Sequence, residues 1–81
     1  MNRYVYHLQV ESYDAKMRVD RLFGSLYVVL QRIEKEGLSI WPGGFEIRGA
    51  IRQQGYWIGD TRPTVEGTVY QVSITKRPID S

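Results

Sequence analysis

The sequence predicts an α+β fold in which one long amphipathic helix packs on a small antiparallel or mixed sheet, in the order strand, helix, strand, strand, strand. Two observations predict it. From Tyr13 to Glu36 the apolar residues recur at helical spacing, whereas before and after that run they alternate as strand residues do. Eighty-one residues make a single small globular domain, 1–81, whose core is thin enough that a second copy or a partner would add stability.

The first strand is read over Arg3 to Glu11, with Tyr4, Tyr6, Leu8 and Val10 on one face and Arg3, Val5, His7, Gln9 and Glu11 on the other. In the helical run, Ala15, Val19, Leu22, Phe23, Leu26, Val29, Leu30 and Ile33 fall within an arc of about 120° at 100° per residue, the width of a helix face packed on one core. Ser12 is placed to cap its N-terminus, Asp14 meets the positive end of the dipole, and Gly37 can end the helix in a left-handed conformation. The competing reading is a strand over Ser25 to Ile33, because Tyr27, Val28 and Val29 favour strands; a small all-β barrel is then the alternative fold.

Leu38 to Trp41 reads as a short extended piece stopped by Pro42-Gly43-Gly44. Alternation returns from Phe45, with Phe45, Ile47 and Ile51 inward and Glu46, Arg48 and Arg52 outward. Gln53-Gln54-Gly55 is read as a turn, and Tyr56-Trp57-Ile58 as another strand-like segment. Thr68 to Lys76 is the last strand, with Tyr70, Val72 and Ile74 inside and Pro78 closing it.

The composition offers little material for catalysis. One histidine, no cysteine and no phosphate-cradling lysine and hydroxyl motif leave no cofactor or metal implied and no enzyme class favoured. Asp14 and Asp20 do not share a helix face as a metal-binding pair would. His7, with arginine and tyrosine neighbours, could at most serve a metal-free ribonuclease. No run approaches the ~20 apolar residues of a membrane span, and no signal-peptide core follows Met1. The absence of cysteine fits a reducing, cytoplasmic setting.

Function is therefore sought on surfaces. On the single long helix, Met17, Gly24 and Val28 form a narrow strip outside the core arc, beside Arg21 and Lys35. With Trp41 held at the edge of the Pro-Gly loop, that strip favours a protein partner or a second protomer. The chain would then be a non-catalytic binding module, an inhibitor or adaptor that occludes a partner surface. The alternative is a sheet face of Arg48, Arg52, Tyr56, Trp57 and Arg62 that binds nucleic acid or a nucleotide. Its guanidinium groups would meet phosphates and its rings would stack on bases. Eight of the eleven basic residues are arginine, which suits bidentate contact to an anion.

Overall fold

The computed structural model describes residues 3–14, 16–40 and 43–79. Its elements are strands β1 (Tyr4–Ser12) and β2 (Met17–Phe23), helices α1 (Leu26–Lys35) and α2 (Gly44–Gln54), and strands β3 (Tyr56–Asp60) and β4 (Tyr70–Pro78). The four strands form one open antiparallel sheet in the order β2-β1-β4-β3, so the first and last strands lie side by side at its centre. Both helices cover one face. α1 lies against β1 and β2, and α2 against β3 and β4.

This order corrects the expectation of one long helix followed by three strands, and the open sheet equally excludes the barrel. Residues 17–23, read as helix, pair with β1 as a hairpin strand. The error has a physical source. Val19 and Phe23 are four apart, a spacing that shares a face in a helix and in a strand alike. Leu22 separates the two: it would be inward on a helix, but on β2 it lies opposite His7 on the uncovered face and is 59% exposed. Ser12 caps no helix; it ends β1, where its amide donates to the Lys16 carbonyl at 3.0 Å across the turn. The cap is Ser25, whose Oγ accepts from the Val28 amide.

The competing strand over Ser25 to Ile33 is likewise replaced, by α1. Its end follows the expectation at Gly37, which has a φ of 76°. The Gly37 amide donates to Glu34 and the Leu38 amide to Ile33, the paired bonds of a Schellman motif, with Leu38 and Ile33 buried beside them.

The second correction lies at 44–54, read as strand plus turn and found as α2. Ile47 and Ile51 are again four apart and point inward either way. Phe45 does not: alternation places it inside, whereas on the helix it is 90% exposed. Gly55 is the left-handed C-cap of this helix, with a φ of 85°, rather than part of a turn between two strand-like segments.

The remaining strands lie close to their expected positions. Leu8 and Val10 of β1 oppose Ile74 and Val72 of β4, and Val29 and Ile33 of α1 with Ile47 and Ile51 of α2 close the core above them. A bulge opposite Val10 and Glu11 leaves Arg18 as the extra residue of β2. Its guanidinium reaches Glu36 beyond α1, donating to the carboxylate at 3.0 Å and to the backbone carbonyl at 2.7 Å. Arg32 supplies a second ion pair to that carboxylate at 3.1 Å.

The bond from Arg18, with Arg32 nearby, holds the Glu36 carboxyl below its ordinary value of 4.5. A depressed carboxyl stabilises the fold above its unfolded pKa, and that contribution disappears as pH falls through the folded value. Arg18→Ala is accordingly expected to cost up to about 1 kcal/mol at neutral pH, with the gap to wild type narrowing in acid below the ordinary glutamate range. Thermal unfolding of both proteins across that range measures it; a gap that widened in acid would contradict the assignment.

Candidate functional site

The sheet outruns its helices at one end. There β1 begins, β2 and β4 finish, α1 starts and α2 approaches its C-terminus, leaving a cleft of about 470 Å³. Its floor is made by Tyr4 and Tyr6 of β1 and Lys76 of β4, which carry the core-facing register of the two central strands past the last core residues. Gly24, Ser25, Leu26 and Tyr27 form the wall where α1 begins. Arg48 and Arg52 of α2, with Ile51 between them, form the opposite wall.

The local sequence explains each placement. Arg48 and Arg52 are one helical turn apart and therefore share a face of α2. Lys76 is anchored from behind, its amide donating at 2.8 Å to the carbonyl of Gly55 just after α2, so the strand end and the helix end are tied together. Its ammonium lies 4.0 Å from the centroid of the Tyr4 ring, a cation–π contact. The α1 cap uses Ser25 Oγ for the Val28 amide, and the first turn carries no acidic side chain. The positive end of the helix dipole therefore opens on the cleft uncompensated.

The charge is one-sided. Three cations and no carboxylate line the cleft, and among the described residues neither arginine forms an ion pair. Like charges four apart on a helix cost about 0.2–0.5 kcal/mol, so an anion held between them would relieve a repulsion built into α2. Three phenol rings stand among these charges. Chemically, the arrangement can neutralise phosphate or carboxylate oxygens and offer a ring face to a flat group beside them.

The structure rearranges both predicted surfaces. Arg48 and Arg52 stay together, but on a helix, with aromatic company different from that expected. Tyr56 is opposite Thr75 on the uncovered face of the sheet, Trp57 is buried in the core, and Arg62 follows β3 at the other end of the molecule, its amide bonded to Ser39. No sheet face joins these five residues.

The partner strip also dissolves. Met17 begins β2 opposite Glu11, in the strand phase turned away from the core, whereas Val28 belongs to α1 on the covered side of the sheet. Arg21 lies over the Phe23 ring at the outer edge of β2. Gly24 lines the cleft, where an added Cβ would meet open space. Val28 borders a separate shallow hollow with Phe23, Gln31, Arg32 and Lys35. Trp41 lies outside the described residues.

Sequence reasoning missed Tyr4, Tyr6, Tyr27 and Lys76. One signal was available: Lys76 falls in the inward register of Tyr70, Val72 and Ile74, and a lysine in that phase marks where a core stops and an open inner face begins.

His7 is elsewhere. It projects from the uncovered face, bonded through Nε2 to Asp20 of β2, with the whole sheet between it and the cleft. Among the described residues no group of three or more His, Cys, Asp or Glu side chains is placed to hold a metal, and no helix is long and apolar enough to cross a membrane. No family model, curated protein or solved structure matches the chain.

Proposed function

We propose that the chain is a non-catalytic binding module for nucleic-acid chemistry, taking a phosphate-bearing nucleotide unit in the cleft at the open end of its sheet. The observation that carries the reading is the convergence of Arg48, Arg52 and Lys76 on Tyr4, Tyr6 and Tyr27 with no carboxylate among them. Guanidinium and ammonium groups neutralise phosphates, and aromatic rings stack on bases with little regard to base identity. A purely apolar ligand would gain nothing from three cations.

His7, the chain's sole histidine, lies on the opposite face of the sheet and is assigned no part in the cleft. A proton-transfer group must come within hydrogen-bond reach of the reacting atom or act through one water, and a sheet separates this one from the cleft. The protein-partner reading began from a strip on one continuous helix, and that helix does not exist.

Equilibrium titration of a fluorescent single-stranded oligonucleotide at several salt concentrations tests the proposal. If all three cations meet phosphates, log K against log salt should fall with a slope of about −2, from about −0.7 per contact for single strands. Absence of binding at low salt would refute it.

A further inference from the structure

The cleft does not end at Arg48. A second, more apolar hollow of about 410 Å³ lies between α1 and α2, and the two hollows share Tyr27 and Arg48 in their walls. Leu30 and Phe45 line its far side, with Glu34 on the α1 wall. Two large rings stand out from this surface, Tyr27 at 60% and Phe45 at 90% exposure, an arrangement that buries neither in the core.

We propose that cleft and groove form one track for single-stranded nucleic acid, with phosphates following Arg52 and Arg48 and a base stacked on Phe45 where the track ends. The inference rests on the nucleotide reading of the cleft and adds the length and form of the ligand. Arg52, Arg48 and Phe45 descend one side of α2. Seven residues at 1.5 Å each make about 10 Å, the rise of about three stacked nucleotides at about 3.4 Å per step. Glu34 sets the limit: a carboxylate on the wall repels a further phosphate. A second copy of the chain is a poor occupant of the cleft, because a two-fold axis through it would gather its three cations beside those of the copy with no carboxylate in the lining to offset them.

The test compares thymidine 5′-monophosphate with thymidine tri- and hexanucleotides, titrated against wild type, Phe45→Ala and Phe45→Trp at low salt, with light scattering on each protein. Affinity should rise from mononucleotide to trinucleotide and then change little. Phe45→Ala should lower trinucleotide and hexanucleotide affinity about tenfold, a loss at the lower end of the range for one base–aromatic stack, and leave the mononucleotide unaffected. Phe45→Trp should restore the difference. Because Phe45 is exposed, the alanine variant should keep its circular dichroism spectrum and unfolding temperature.

Equal affinity for mononucleotide and hexanucleotide, or a length dependence that survives Phe45→Ala, would overturn the track and leave the cleft reading standing. A change in oligomeric state on Phe45→Ala with unaltered oligonucleotide affinity would assign the groove to a second copy and overturn the track as well. If no probe binds wild type, the cleft reading fails and the track fails with it.

Discussion

Reversing the charge of α2 with Arg48→Glu and Arg52→Glu together should reduce oligonucleotide affinity by about 10² to 10⁴, the largest functional effect expected of any change to this chain. The range follows from hydrogen bonds to charged groups, worth about 1.5–3 kcal/mol each, taken over two guanidinium contacts. Both side chains are exposed and neither forms an ion pair among the described residues, so the fold should persist. Arg48→Ala alone should weaken binding less and make the salt slope shallower by about 0.7. His7→Ala serves as the comparison on the opposite face and should bind as wild type does. Anisotropy titration of the same oligonucleotide against all four proteins, with circular dichroism to confirm folding, decides the matter. Unaltered affinity in the doubly reversed protein would remove α2 from the binding surface.

Trp57→Ala should have the largest effect on stability, about 3–5 kcal/mol, because the indole is buried in the core opposite Ile74. A chain of this size is held by about 4–12 kcal/mol in total, so the variant should be largely unfolded on moderate warming. Gly59→Ala probes the same packing from the other side. A Cβ at Gly59 would come within 2.5 and 2.6 Å of the Cζ2 and Cη2 atoms of that indole, and a rigid ring in a packed core can clear the contact only by shifting. Overpacking of this kind costs about 1–3 kcal/mol. Urea unfolding measures both. The result separates two roles for Trp57: a protein that stayed as stable as wild type and lost only oligonucleotide binding would make the indole a stacking ring, as the sheet-face reading of the sequence had it.

The sequence displays strands better than helices here, for a definite reason. β1 and β4 alternate over nine residues each, and their inner residues read correctly. The segments on either side of α1 are ambiguous because their core-facing pairs, Val19 with Phe23 and Ile47 with Ile51, stand four apart, and that spacing fits both periods. A single residue in each decides the matter, Leu22 outward on β2 and Phe45 outward on α2. Neither reveals its exposure without knowledge of its neighbours. The same degeneracy kept Arg48 and Arg52 together through a wrong assignment, since four residues also keep two arginines on one face. The tyrosine and lysine floor of the cleft depends on where the helices stop covering the sheet. That boundary is set by tertiary packing, and the sequence shows it only in the inward phase of Lys76.

The most direct test of the account asks where a ligand lands. A ¹H–¹⁵N chemical-shift titration of the folded protein with a short single-stranded oligonucleotide reports the backbone amides whose surroundings change. The account predicts shifts at Gly24 to Tyr27, Arg48, Arg52 and Lys76, extending to Phe45, and little change across His7, Gln9, Ser73 and Thr75 on the opposite face of the sheet. Shifts concentrated on those four residues, with the cleft undisturbed, would contradict it.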